Sequence, residues 1–344
     1  MGGTGMTKHQ LLRHPATAVR APVIAITMGD PGGIGPEVVV KCLKRLKRGP
    51  RCRYVVIGSQ AVFSFLNKQT SLDFSFQRFL SDGRVLQKGI VYFWDIGGAK
   101  FDKSRETVAN GQMAIRAISI ASDLAKEGSV QAIVTAPINK VSARLAQKGF
   151  VGHTEFFAQA AGVKHYAMMF VGASLKLTLA TIHVPLKRVS GLLSSDLIFE
   201  KIILTADALK NDFKIKNPKI AVCAFNPHGK ECGGGEEITV ISPAIRRAQR
   251  KGILASGPYP ADQIFYSARR GAFDALITMY HDQALGPFKM IHFHDGVNMT
   301  LGLPYIRTSP DHGTAYDIAY QGKADPSSMM AALKLAETLV LNRS

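Results

Sequence analysis

Residues 23–46, VIAITMGDPGGIGPEVVVKCLKRL, decide the fold class. Val23–Thr27 is a short apolar run that reads as a strand, Gly29–Pro36 reads as a loop, and Glu37–Leu46 reads as a helix. Strand, glycine-rich loop and helix in succession form the opening unit of an α/β sheet. The alternation continues downstream. Strands are predicted at Tyr54–Ile57, Ile90–Phe93, Ala132–Thr135, Lys176–Ile182, Lys219–Cys223 and Asp274–Thr278, and helices at Gly111–Lys126, Leu197–Leu209, Ser242–Lys251 and Ser327–Leu341. The pattern predicts an α/β chain with a mostly parallel sheet. No repeat, low-complexity tract or clean linker divides the 344 residues, so two interleaved domains are expected rather than two in series.

Composition narrows the function. A chain that is 46% hydrophobic and 20% charged is an ordinary globular one. No stretch reaches the roughly 18 apolar residues of a membrane span, so no membrane partner is expected. The outlying feature is charge, with 43 Lys and Arg against 25 Asp and Glu, a formal +18. That invites a nucleic-acid reading or one involving small anions. The basic run Lys41–Arg48 with Arg51 and Arg53 lacks interleaved aromatics, so it reads as a solvated helix face, and no nucleic-acid partner is expected. Residues 1–20 hold basic residues and no acid, lack an apolar run of signal-peptide length, and are expected to be a disordered basic tail. Cys42, Cys52, Cys223 and Cys232 make no C-x-x-C pair, so reduced thiols in a cytoplasmic protein are expected.

Histidine placement is the most informative local signal. Lys176–Ile182 runs into His183, Ile220–Phe225 into Asn226-Pro227-His228, and Ala275–Tyr280 into His281. Ligands of open α/β sheets bind beyond the carboxyl ends of strands, where three such imidazoles can converge on a catalytic divalent cation. Unrelated strand-end histidines capping backbone groups are the other reading. Elsewhere, Gly152–Phe157 looks like a helix start, with Thr154 as cap or ligand group and His153 as acid, base or anion donor. Asn298–Asp317 reads as a ligand-lining loop around Arg307 and His312. Lys289, Asn298 and Arg307 are spaced nine apart twice, and a Lys and an Arg converging on one site would hold a phosphate or carboxylate. Two solvated surface cations are the alternative. The loop at 29–37 matches neither G-x-G-x-x-G nor the Walker pattern, so it reads as an anion-binding loop or a tight turn without a ligand.

Several motifs in order carry a resemblance. GDPGGIGPE (29–37), TAPINK (135–140), GHTEFF (152–157), NPH (226–228), PAD (260–262), MYHDQ (279–283) and GVNMTLGLPYIRTSPDHGTAYDIA (296–319) together resemble the 4-hydroxythreonine-4-phosphate dehydrogenase family of vitamin B6 biosynthesis, from about residue 22 onward. The resemblance implies two α/β/α domains of the isocitrate/isopropylmalate dehydrogenase type, with the active site in the interdomain cleft. Borders are expected at 21–145 plus 293–344 for the first domain, with the cofactor loop, and 146–292 for the second, with the metal ligands and dimer contacts. It also implies a homodimer with a shared active site.

Carried over residue by residue, the family's metal histidines fall on His183, His228 and His281, for Zn, Mg, Co or Mn. Its substrate contacts fall on His153, Thr154, Lys289, Asn298 and Arg307. Asp262 and Lys289 are candidate catalytic groups, and His312, Gly313 and Thr314 candidate contacts for NAD or NADP. The implied activity is oxidation of 4-phosphooxy-L-threonine at C3 and decarboxylation to 3-amino-2-oxopropyl phosphate, with a small phosphorylated hydroxy-amino acid as the partner molecule. Rival expectations are a D-threonate or D-erythronate 4-phosphate dehydrogenase and a phosphate acyltransferase. Two departures from the family pattern are visible. The stretch from His228 to Glu236 looks about two residues short, and Gln263 follows PAD where Thr is common.

Overall fold

The computed structural model describes residues 21–46, 51–78, 91–98, 100–232 and 234–343. The basic tail at 1–20, Lys47, Arg48, the first residue of the strand predicted at 90–93, and the Cys232 side chain lie outside this description.

In chain order the strands are β1 (Val23–Thr27), β2 (Arg53–Gly58), β3 (Gln77–Arg78), β4 (Val91–Asp95), β5 (Ala132–Thr135), β6 (Ala167–Val171), β7 (Lys176–Leu179), β8 (Lys219–Cys223), β9 (Leu254–Tyr259), β10 (Ala275–Thr278), β11 (Val297–Leu301) and β12 (Ile306–Pro310). The α-helices are α1 (Gly35–Lys44), α2 (Gln60–Thr70), α3 (Val108–Lys126), α4 (Lys140–Ala146), α5 (His153–Ala160), α6 (Leu186–Leu192), α7 (Ser195–Asn211), α8 (Ser242–Arg250), α9 (Ala261–Arg269), α10 (His281–His292) and α11 (Ser327–Arg343).

Contacts group the described residues into two units: 21–156 with 307–342, and 157–306 with Arg343. These borders differ from those expected at 145 and 292. Residues 146–156 stay with the first unit because the Phe150 carbonyl accepts from Arg144 Nε at 3.1 Å and its amide donates to the Gln147 carbonyl. Residues 293–306 join the second because β11 pairs antiparallel with β6, Val297 opposite Val171.

In the first unit the strand order is β3-β4-β2-β1-β5-β12. The pairs β3–β4, β4–β2, β2–β1 and β1–β5 are all parallel. Every residue of β1 and β5 is buried, which their unbroken apolar runs require. Helix α3 starts where the Thr107 side chain accepts from the Asn110 amide, and its Met113, Ala117, Ile118, Ala121 and Leu124 bury a face at helical spacing. In the second unit the order is β11-β6-β7-β10-β8-β9. Here β7, β10, β8 and β9 run parallel, while β6 is antiparallel to both its neighbours. Its core includes Phe170, Leu177, Leu179, Leu276 and Phe288.

The stretch expected to be a ligand-lining loop at 298–317 is for its first half two strands. Gly302, at φ +87°, turns the chain between β11 and β12, and a side chain there would overlap the His165 carbonyl. Polar residues hid β12. Thr308 is buried because its hydroxyl donates to the Ala332 carbonyl at 2.9 Å.

Candidate active site

The three strand-end histidines follow β7, β8 and β10, which are adjacent and parallel. Their carboxyl ends are cross-tied. Thr181 donates its amide and hydroxyl to the Met279 carbonyl, at 3.2 and 2.7 Å, joining the β7 end to the β10 end. Gln283 accepts from the Met279 amide at 2.7 Å and donates to the Ala224 carbonyl at 2.8 Å, joining the β10 end to the β8 end. His183 and His228 both sit in the left-handed backbone region, at φ 44° and 54°. That region is costly for a residue with a Cβ, and such strain concentrates at functional positions. The rings of His183 and His281 lie 5.8 Å apart between centroids. His281 Nδ1 meets Asp282 Oδ1 at 2.7 Å, which leaves its Nε2 edge to face a ligand.

The turn before His228 is held by a residue the sequence reading missed. Glu237 is fully buried, and its Oε1 accepts from the Phe225 and Asn226 amides at 2.9 and 2.8 Å. Its Oε2 accepts from the Asn226 side chain at 3.0 Å. So the short stretch after NPH, a 3₁₀ turn and then a π-helical turn at Glu237–Ile241, folds back onto the turn it follows.

Three imidazoles on adjacent strand ends, one backed by a carboxylate on its second nitrogen, suit a divalent cation in donor type and placement. No three His, Cys, Asp or Glu side chains are gathered into a closed metal-binding group among the described residues. The fit is therefore one of chemistry and strand-end position.

The other predicted residues of the second unit are spread along it. Lys289 lies in the last turn of α10, and Asn298 is the second residue of β11, its Oδ1 buried without a hydrogen-bond partner. Asp262 is exposed in the first turn of α9.

In the first unit Arg307, in β12, is only 2% exposed, and its Nη2 donates to Thr135 Oγ1 at the end of β5, 2.6 Å away. His153 opens α5 and buries its Nε2; Thr154 is inside that helix and buried, so it is not the cap. Burial, then the positive charges of Arg307 and Lys140, push the His153 imidazole well below its ordinary pKa, which favours its neutral form.

The glycine-rich loop packs against the 135–140 and 312–316 turns. The Asp30 amide donates to the Pro137 carbonyl at 2.8 Å and the Ile34 amide to the Thr314 carbonyl at 2.9 Å. A side chain at Gly29, which sits at φ +74°, would overlap the Pro137 carbonyl, and one at Gly33 would collide with Thr314. Asp30 is fully buried; it accepts from the Gly32 amide at 2.7 Å and from the Tyr316 hydroxyl at 3.0 Å. Burial raises its pKa, and those hydrogen bonds pull the other way. Of the proposed cofactor residues, Thr314 thus lines the glycine-rich loop, while His312 Nδ1 lies 3.0 Å from the Gly313 carbonyl.

The chain matches a known family. A family model described as pyridoxal phosphate biosynthetic protein PdxA matches residues 50–336. The chain belongs to that family. It is 46% identical over 321 residues to a 4-hydroxythreonine-4-phosphate dehydrogenase from Desulforapulum autotrophicum, covering 92% of this chain and 94% of that protein. It is 40% identical over 319 residues to one from Aquifex aeolicus, covering 92% and 98%. The solved structure of 4-hydroxythreonine-4-phosphate dehydrogenase from Klebsiella pneumoniae superposes with a TM-score of 0.84 at 34% identity, covering 94% of this chain and 99% of that one. The α/β reading and the family resemblance both stand.

Proposed function

We propose that this protein is an NAD(P)-dependent 4-hydroxythreonine-4-phosphate dehydrogenase. The observation that carries the reading is 46% identity to an enzyme of that name over 92% of the chain. The reaction oxidises the C3 hydroxyl of 4-phosphooxy-L-threonine to a ketone. The hydride and its electron pair pass to the nicotinamide, and the hydroxyl proton leaves to a base. The β-keto acid then loses CO₂, the C–C bonding pair moving toward the ketone, and protonation gives 3-amino-2-oxopropyl phosphate.

His183, His228 and His281 are the residues that would hold a divalent cation (Zn, Mg, Co or Mn). Such a cation, when bound, supplies Lewis-acid chemistry. Arg307, His153, Thr154, Lys289 and Asn298 are the proposed substrate-binding residues, for its anionic ends. Orientation by these groups supplies part of the rate acceleration. Lys289 and Asp262 are the candidate proton acceptors. His312, Gly313 and Thr314 are the proposed NAD(P) contacts, supported by the packing of Thr314 on the glycine-rich loop. A cytoplasmic homodimer with a shared active site completes the proposal. Support for a partner surface comes from Met290 and Phe293, which are 91% and 70% exposed at the end of α10. No helix among the described residues is long and apolar enough to cross a membrane.

Two measurements test this reading. Nicotinamide absorbance should report faster turnover of 4-phosphooxy-L-threonine than of D-threonate or D-erythronate 4-phosphate. The reverse order moves the protein to the sugar-acid activity, and no nicotinamide change with any of them leaves the acyltransferase. Separately, His281→Ala should lose metal content in elemental analysis along with turnover. Full metal content in that variant removes His281 from the ligand set.

A further inference from the structure

The 135–140 turn holds a cation that the proposed function does not use. Thr135, at the end of β5, holds the buried Arg307 guanidinium. Five residues on, Lys140 opens α4, where Asn139 caps the helix by accepting from the Val141 and Ser142 amides at 2.7 and 2.9 Å. The Asn139 side chain is fixed on its other side by donating to Glu106 at 2.9 Å. The residue before Lys140 is therefore rigidly set. The Lys140 stem crosses Gly152: a Cβ on that glycine would lie 3.9 Å from Lys140 Cε. Gly152 directly precedes His153, and the Lys140 charge acts on that imidazole together with Arg307. Lys140 itself is exposed, and the Glu155 carboxylate lies beside the same glycine, its Oε2 2.9 Å from that Cβ position.

We propose that Lys140 is a phosphate-binding residue, the third member of an anion site with Arg307 and His153. The inference rests on the functional reading for the substrate and for Arg307 and His153 as its contacts. A phosphate monoester carries about −1.5 to −2 charges at neutral pH. The buried Arg307 guanidinium supplies one positive charge toward that dianion, and Lys140 adds a second from within the same unit, independently of Lys289. The division of labour suits the two side chains. Arg307 is buried and held, and so presents a fixed planar fork, whereas Lys140 is a mobile point charge at the mouth. The neutral imidazole of His153 contributes an N–H donor without a third full charge. Recognition would then favour a phosphorylated substrate over its unphosphorylated counterpart through charge count as well as shape.

The test is binding of inorganic phosphate, with acetate as the carboxylate probe, to the full-length protein by calorimetry. Lys140→Met should weaken phosphate binding by about tenfold or more and leave acetate binding within about twofold, because a monoanion needs only Arg307. Lys140→Arg should restore phosphate affinity to within about threefold. In steady-state assays Lys140→Met should raise KM for 4-phosphooxy-L-threonine by a similar factor while KM for NAD stays put. Unchanged phosphate affinity in Lys140→Met overturns the proposal. So does a loss confined to acetate, or a wild-type protein that takes up no phosphate. A wild-type protein that binds phosphate through Lys140 yet fails to oxidise 4-phosphooxy-L-threonine refutes the functional reading and leaves the Lys140 site standing.

Discussion

His153 is where burial and charge act in the same direction, and its titration is the sharpest residue-scale prediction. Burial lowers its pKa first, and the Arg307 and Lys140 charges lower it further. In the unfolded chain it titrates near about 6.5. Below that pH the unfolded state binds a proton that the folded state refuses, so the unfolded state gains. The stability tied to a neutral His153 is present above pH ~6.5 and is lost as pH falls below it. NMR of the imidazole nitrogens should show His153 neutral at pH 6 in the ligand-free protein. Adding phosphate should raise its pKa, because the dianion offsets the two cations. Titration near pH 6.5 that ignores phosphate would count against both the burial and the shared anion site. At this scale the sequence singled out candidates that sit in long motifs: His153, Arg307 and the three strand-end histidines. It could not show Lys140, Glu237 or Gln283 in their roles. Each of these acts on a residue that the fold brings beside it, and nothing in local spacing records that.

At the element scale the strand–loop–helix pattern was legible wherever apolar runs were unbroken, as at β1, β5, β8 and β10. It failed where buried strands carry polar residues satisfied from afar, as in β12 with Thr308 and Arg307. It also failed to anticipate that α3 and α4 are packed nearly backbone to backbone. Gly111, inside α3, faces the Ser142 carbonyl of α4, and a Cβ there would overlap that oxygen. Ordinarily Gly→Ala inside a helix stabilises by about 1 kcal/mol. Here the sign should reverse. Gly111→Ala must push α3 from α4, with a cost of about 1–3 kcal/mol from overpacking. Chemical denaturation should show a lower midpoint with an unchanged slope. Because Ser142 hydrogen-bonds toward Tyr316, whose hydroxyl reaches Asp30, the same variant should also raise KM for substrate and cofactor. A variant more stable than wild type would mean the two helices are not in that contact.

For the whole molecule, the formal charge of +18 has two readings that differ in their salt response. If the field of scattered Lys and Arg gathers anionic substrate, kcat/KM should fall several-fold as ionic strength rises from about 0.01 to 0.1 M, where the Debye length shrinks from about 30 to 10 Å. The value of kcat should hold, since the chemistry takes place after capture. A salt effect could also arise from chloride competing at the anion site itself, so the discriminating experiment moves charge elsewhere. Arg45 and Lys68 are exposed, and the proposed function assigns neither of them a role. Reversing both to Glu removes four units of net charge without altering a proposed ligand group. Field capture predicts a kcat/KM about twofold lower at low salt and a shallower salt slope. Local competition predicts wild-type values for both. Coincident curves for variant and wild type would assign the basic surface to composition alone, and anion capture would then rest on the proposed binding residues themselves.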